Sequence, residues 1–190
     1  MIGLRSVIGS LLAVALLAGC QTYSAVEPAK KQEIGGVFRA EAPVTWSALK
    51  NGNNQTWTIN GFGLESISFI TNVEDGDPIA PKTQNEDAPV FKADMNATEV
   101  VDLYEAVLAS RGFSQVEVRD LRPHVISAQD AFRFDYTAFD RNGLGKQGTV
   151  IGLIDADKGL NLVVYEGASE HYYGASLGVA EQVLASLEKI

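Results

Sequence analysis

The chain has 190 residues, with 24 acidic side chains against 15 basic ones and a formal net charge of −9. Nucleic acid binding draws its affinity from neutralising phosphates, so an acidic chain without a lysine or arginine cluster is not expected to bind nucleic acid. The single cysteine has no partner for a disulfide within the chain. The length is sufficient for one domain with one hydrophobic core.

The first residues have the pattern of an export signal that ends before Cys20. Arg5 precedes an apolar run over about 7–18. A run of roughly a dozen residues matches the core of a signal peptide, whereas a helix that spans a bilayer needs about 20. We therefore predict a signal peptide over 1–19. The alternative, a buried N-terminal helix, does not explain why the sequence turns polar from Gln21.

The residues Leu17, Ala18, Gly19 and Cys20 resemble the lipobox of bacterial lipoproteins, in which an apolar residue and two small residues precede a cysteine. The resemblance implies a diacylglycerol thioether on Cys20, cleavage before it and acylation of the new amine. Two acyl chains are enough for stable anchoring in a membrane. Gln21 after the cysteine, in place of aspartate, implies the outer membrane with the protein facing the periplasm. The alternative is an unmodified cysteine.

A polar segment over 20–36 follows, with Pro28 in its middle and Gly35 and Gly36 at its end. Such a composition predicts a flexible tether. The folded part is then a single domain over 37–190.

Strand and helix patterns alternate in that domain as they do in α+β proteins. Asn96 and Glu99 have the spacing of a capping box, Gly112 suits a left-handed helix stop, and Asn142-Gly143 predicts a hairpin. We predict a mainly antiparallel, curved sheet of about six to seven strands with helices packed on it. The predicted strands cover about 37–42, 56–60, 64–72, 116–122 (closed by Pro123), 132–140, 148–155 and 160–166, and the helices cover about 97–110 and 174–189.

The segment over 74–94 holds three prolines and several acidic residues but few apolar ones. Long connections of this kind are usually functional or disordered. We predict disorder or a plain linker here, with 74–90 dispensable for folding and contributing, if anything, to contact with a partner.

Three stretches resemble the PsbP/Mog1 fold, in which helices pack on a curved antiparallel sheet. They are FRAEAPVTW, ATEVVDLYEAVLASRGF and the run FRFDYTAFDRNGLGKQGTVIGLIDADKGLNLVVYE with the last helix. The resemblance implies binding and assembly roles without catalysis.

Ser176 lies in a GASLG stretch that matches the G-x-S-x-G elbow of α/β-hydrolases. In those enzymes a histidine follows the serine, and here none does. His124 and His171 are the only histidines, and neither has the spacing of a metal site. We predict that Ser176 opens a helix. A hydrolase that uses Ser176 with His124 or His171 is the third-ranked hypothesis for the function.

Two acidic stretches, 73–77 (VEDGD) and 155–159 (DADKG), suggest calcium by their carboxylates. Neither has the spacing of an EF-hand, which also needs a later bidentate glutamate. We predict a solvated loop and a hairpin turn. No metal and no cofactor is expected.

Tyr136, Tyr165, Tyr172 and Tyr173 are candidates for the border of a cleft that binds a partner, because aromatic rings with a polar tip suit recognition. The alternative is packing under the last helix.

These patterns predict a non-catalytic envelope lipoprotein that binds or helps assemble another envelope component. The alternative is a carrier of a small ligand or lipid in a pocket between sheet and helix. An apolar pocket would favour the carrier. A closed core with an exposed aromatic patch would favour the partner-binding protein.

The lipobox generates the first testable prediction. Cys20→Ser removes the thiol that would carry the lipid, so the variant should fold but no longer enter the detergent phase. Metabolic labelling with a fatty acid analogue measures the modification. Label retained on the serine variant would contradict it.

Overall fold

The computed structural model describes residues 23–79 and 88–190. The predicted signal peptide and Cys20 lie outside these residues. The helices are α1 Ala97–Ser110 and α2 Tyr172–Ala185. The strands are β1 Ser24–Val26, β2 Lys31–Ile34, β3 Phe38–Glu41, β4 Trp46–Asn51, β5 Asn54–Thr58, β6 Glu65–Val73, β7 Ser114–Ile126, β8 Gln129–Phe139, β9 Gly145–Asp155, β10 Gly159–Ala168 and β11 Glu188–Lys189.

Eight strands form one sheet in the order β1-β4-β5-β6-β10-β9-β8-β7, and three form a second sheet in the order β11-β3-β2. Every strand pair is antiparallel. The predicted α+β class with an antiparallel sheet is confirmed. The predicted count of six to seven strands is only roughly matched, because the large sheet has eight strands and a separate small sheet has three.

The central strands β9 and β10 are buried on both faces of the large sheet. One face packs against α1 and the ends of the segment before it. The opposite face packs against α2 and the small sheet. The domain is therefore layered, and each face of the sheet has its own hydrophobic core.

Helix α1 forms as its sequence predicts. The Asn96 side chain accepts hydrogen bonds from the N–H groups of Thr98 and Glu99, and the Glu99 carboxylate accepts one from the N–H of Asn96 at 2.8 Å. Gly112 follows the helix with φ of +86°. The buried stripe is Val100, Val101, Leu103, Tyr104, Val107 and Leu108.

Strand β8 alternates as predicted, with Phe134 and Tyr136 buried toward α1 and Arg133 and Asp135 on the other face. Tyr136 pairs with Gly148 across the strands. A Cβ atom at Gly148 would lie 2.1 Å from the Tyr136 ring, so only glycine leaves room for that ring.

The tether predicted over 20–36 is wrong for its described part. Val26 and Ile34 are 3% and 0% exposed and belong to the core on the α2 side. Strand β1 pairs with β4, and β2 pairs with β3 through a turn at Gly35 and Gly36, both with positive φ. The segment is folded in spite of its polar composition, because one buried apolar residue in each strand and the pairing of the strands stabilise it.

The linker predicted over 74–94 is wrong at both ends. Ile79 and Phe91 are 4% and 0% exposed and pack in the core beneath α1. Backbone hydrogen bonds join the two ends, from Gly76 to Phe91 at 2.8 Å and from Phe91 to Asp77 at 2.9 Å. The interval 80–87 lies outside the described residues.

Two further boundaries differ from the prediction. Pro123 lies inside β7 rather than at its end, which is tolerated because β7 is the edge of the large sheet. Helix α2 begins at Tyr172 and ends at Ala185, and Glu188–Lys189 pair with β3 instead of continuing the helix.

The burial of Phe91 generates the second prediction. Phe91→Ala should lower the free energy of unfolding by about 3–5 kcal/mol, because it removes a fully buried ring from the core. Lys92→Ala, at an exposed neighbour, should change it by less than about 0.5 kcal/mol. Urea unfolding measures both. Equal stability of the two variants would restore the linker interpretation.

Candidate functional site

A polar groove of about 460 Å³ lies between α2 and the outer strands β7, β8 and β9. Polar and charged side chains of the sheet face that packs against α2 form its floor, and α2 forms one wall. The lining residues are Arg119, Asp120, Arg133, Asp135, Tyr136, Gln147, Gly148, Thr149, Tyr173, Leu177 and Glu181. We call this the α2 groove.

Paired charges hold the side chains of the α2 groove in place. Arg133 donates two hydrogen bonds to the Glu181 carboxylate, one of them at 3.0 Å. This bond is the main cause of the raised pKa of the Arg133 guanidinium. Asp135 accepts from Thr149 Oγ1 at 2.5 Å and from Arg122 at 3.0 Å. Bidentate arginine pairs fix geometry as well as charge, so this surface is preorganised.

A bulge in β7 shapes one wall of the α2 groove. The register with β8 shifts between Arg119 and Arg122, and Asp120 adopts a φ of +58°. The Arg122 guanidinium donates to the Asp120 carbonyl oxygen at 2.6 Å. Bulges re-aim side chains, and a left-handed non-glycine residue costs roughly 1–2 kcal/mol. The strand therefore gives up stability where Arg119 and Asp120 border the groove.

Tyr173 joins α2 to the sheet at the end of the groove. Its ring stacks on the ring of Tyr165 with centroids 5.0 Å apart, and its hydroxyl oxygen lies 3.1 Å from Thr149 Oγ1. The Tyr165 hydroxyl donates to the backbone carbonyl oxygen of Tyr173 at 2.6 Å. Burial raises the pKa of both phenols.

The four predicted tyrosines do not share one surface. Tyr165 and Tyr136 are 0% exposed, and the Tyr136 ring packs beside Tyr104 on the opposite face of the sheet, where its hydroxyl donates to Glu166. The Tyr136 ring therefore does not face the α2 groove, although the residue is part of the groove floor. Only Tyr172 and Tyr173 are partly accessible. A role for either in partner binding stays a prediction.

Ser176 is 5% exposed and lies inside α2, which already begins at Tyr172. A nucleophile elbow needs its serine at a sharp turn between strand and helix. The GASLG stretch therefore does not form that elbow, and Ser176 does not open the helix either.

The two histidines lie on different elements. His124 is half-buried in β7, and His171 is exposed directly before α2. Burial lowers the pKa of the His124 imidazole, as do the nearby guanidinium groups of Arg133 and Arg122.

The two acidic stretches meet at one end of the sheet, because Val73 pairs with Leu160. They line a cavity of about 320 Å³. The Asp155 carboxylate is held by Lys189 at 2.7 Å, which lowers its pKa, and also accepts two backbone N–H groups. Asp75 accepts the N–H of Ala93 at 3.0 Å. Among residues 23–79 and 88–190, no cluster of histidine, cysteine, aspartate or glutamate is arranged to hold a metal ion.

A smaller cavity of about 110 Å³ lies between α1 and strands β6 and β10, with Ser66, Ser68 and Glu166 among its lining residues. Pockets for drug-sized ligands occupy about 300–1,000 Å³. This cavity is smaller than a lipid carrier requires.

Sequence reasoning missed most of the α2 groove. The sequence signal that could have indicated the groove is the alternation of β8, which places Arg133 and Asp135 together on one face of the sheet. Their partners Glu181 and Thr149 are distant in sequence, and no local pattern joins them.

No known protein family matches the chain by sequence, and no curated protein does either. Among solved structures, cyanobacterial PsbP (CyanoP) from Synechocystis superposes with a TM-score of 0.56 at 14% identity, covering 94% of this chain and 99% of that one. LpqN of Mycobacterium tuberculosis, described as involved in cell envelope biogenesis, gives a TM-score of 0.37 at 11% identity, covering 91% and 87%. The fold is PsbP-like on the first of these superpositions. No helix in the described part of the chain has the length and apolarity to cross a bilayer.

The buried phenols generate the third prediction. Burial, together with the nearby Glu166 carboxylate, raises the pKa of the Tyr104 phenol above its usual 10. Burial, together with Tyr104 and Glu166, does the same for the pKa of Tyr136. The unfolded chain loses these protons above about pH 10 while the folded chain keeps them. The free energy of unfolding should therefore be fully retained below pH 10 and fall above it, by up to about 1.4 kcal/mol per pH unit for each group.

Urea unfolding between pH 8 and 11 measures this slope, and tyrosinate absorbance reports the ionisation. The double variant Tyr104→Phe/Tyr136→Phe is the control and should have a shallower slope. An unchanged slope in that variant would contradict the prediction.

Proposed function

We propose that this protein is a non-catalytic lipoprotein of the bacterial envelope, anchored through Cys20 in the outer membrane, that binds another envelope protein through the α2 groove. The observation that carries the binding proposal is the groove itself, with its fixed charges and its bulged wall. The anchoring proposal is supported by the lipobox resemblance at Leu17–Cys20.

The α2 groove suits a protein partner because its charges are fixed before binding. Ordering side chains on binding costs free energy. The Arg133–Glu181 and Asp135–Thr149 contacts order these side chains before a partner binds. Arg119 is exposed on the wall and forms no ion pair with any described residue. It is the side chain best placed to meet an acidic group of the partner.

The cavity sizes favour a partner-binding protein over a carrier. The pocket between sheet and α1 is about 110 Å³, and the roomier α2 groove is lined mostly by polar and charged groups. Acyl chains need apolar walls, since burying unpaired polar groups is unfavourable. A polar groove is instead typical of contacts with a protein surface.

Site-specific photo-crosslinking in cells tests the groove. A photoreactive amino acid at Gln147 should give a discrete adduct with one envelope protein, and Arg119→Glu should abolish that adduct by reversing the charge on the wall. Lys158→Glu, an exposed charge reversal outside the groove, is the matched control and should leave the adduct unchanged.

Three results separate the parts of the proposal. Loss of the adduct with Arg119→Glu alone supports the groove. Equal loss with Lys158→Glu would point to general electrostatics, and an adduct that survives both would rule out a role for Arg119 in binding the partner.

A further inference from the structure

An uncharged, apolar surface lies at the β1 edge of the large sheet. Tyr23 and Phe62 are 56% and 38% exposed, and their rings stack with centroids 5.7 Å apart. Ile59, on the same loop as Phe62, is 40% exposed. No charged residue occurs in 55–64 or in 20–26, although the chain carries a net charge of −9. We call Tyr23, Ile59 and Phe62 the edge patch.

The loop that presents Phe62 is held rigidly by a buried carboxylate. Glu65 is 1% exposed, and its Oε1 accepts hydrogen bonds from the N–H groups of Ile59 at 2.7 Å and Asn60 at 2.9 Å. Thr58 Oγ1 donates to Glu65 and accepts from the N–H of Gly61 at 2.9 Å. Burying a carboxylate lowers stability unless hydrogen bonds satisfy it. Here those hydrogen bonds also fix the conformation of the loop.

The far side of the loop is also fixed. The buried Lys146 ammonium group donates to the Gly63 carbonyl oxygen at 2.5 Å, and the Leu64 carbonyl oxygen accepts from the N–H of Ala168 at 2.8 Å. Gly61 and Gly63 both have positive φ. The loop thus displays apolar side chains to solvent on a preorganised backbone, an arrangement that folding alone does not require.

The edge patch lies next to the proposed lipid attachment. Only Gln21 and Thr22 separate Cys20 from Tyr23. A fully extended chain covers about 3.3–3.6 Å per residue, so Tyr23 lies within roughly 10 Å of the lipidated residue. The described part of the predicted flexible tether is folded, because it contains β1 and β2. A domain attached this closely must rest against the bilayer with the side that carries Tyr23.

We propose that the edge patch inserts into the interface of the phospholipid bilayer and orients the domain on the membrane. The proposal rests on the proposed anchoring through Cys20. Tyrosine and other aromatic rings with an adjacent polar edge favour the interface between lipid and water. The absence of charged residues from 20–26 and 55–64, the two segments that form the patch, lessens repulsion between an acidic protein and anionic lipid there.

Fluorescence of the lipidated mature protein, which begins at Cys20, tests this contact. Trp46 and Trp57 are 1% and 0% exposed, so they supply a constant background. Phe62→Trp adds one tryptophan at the edge patch. Val125→Trp is the matched control, because Val125 is 61% exposed on β7, the opposite edge of the sheet.

Each variant is reconstituted into vesicles of phosphatidylethanolamine and phosphatidylglycerol with or without brominated acyl chains. Bromine quenches tryptophan only at short range. We expect bromination to quench the emission of Phe62→Trp clearly more than that of the wild type, with a shift to shorter wavelength. Val125→Trp should be quenched no more than the wild type.

Vesicle flotation in the same samples separates the two proposals. A protein that does not float overturns the lipid anchor. A protein that floats while Phe62→Trp is unquenched overturns the membrane contact alone. A wavelength shift of Phe62→Trp that depends on protein concentration without vesicles would assign the edge patch to a second copy of the chain, and would also overturn the contact.

Discussion

The structure depends on one constraint, which is that the central strands of the large sheet are apolar on both faces. Val150 and Ile151 are adjacent in β9 and point to opposite cores, and Val163 and Val164 do the same in β10. Water must be excluded from both sides, so one covering layer is not sufficient. Helix α1 with the ends of the preceding segment covers one face. Helix α2 with the small sheet covers the other.

Both proposed surfaces lie where these covering layers end. The α2 groove opens beside α2, over the outer strands β7 to β9. The sheet face there carries Arg133, Asp135 and Thr149 instead of apolar side chains, and Arg133 pairs with Glu181 of α2. At the opposite edge, the core beneath α1 contains no residue of β4 or β5. The exposed edge patch lies at that end. Incomplete coverage therefore leaves two chemically different surfaces on one domain, one charged and one uncharged.

The sequence predicted those parts of the fold whose information is local. The alternation of β8 and the Asn96–Glu99 capping box each lie within one element, and both were predicted. Strands β1 and β2 were missed because each contributes a single buried apolar residue, Val26 or Ile34, whose burial depends on distant partners. The α2 groove was not predicted from the sequence for the same reason. The pairing of Arg133 with Glu181 spans 48 positions and leaves no periodic trace.

The small sheet joins strands that are far apart in the sequence. Its last strand, β11, pairs with β3, the N–H of Ile190 donates to the Val37 carbonyl oxygen at 2.9 Å, and Lys31 meets Glu188 across 157 positions. Contacts of such long sequence separation form late, because the loop between them must be closed first. The β3–β11 pair therefore cannot form before residues 188–190 have been synthesised, whereas β2 and β3 pair locally. Until Glu188–Lys189 have been made, β3 presents an unpaired strand edge to other chains.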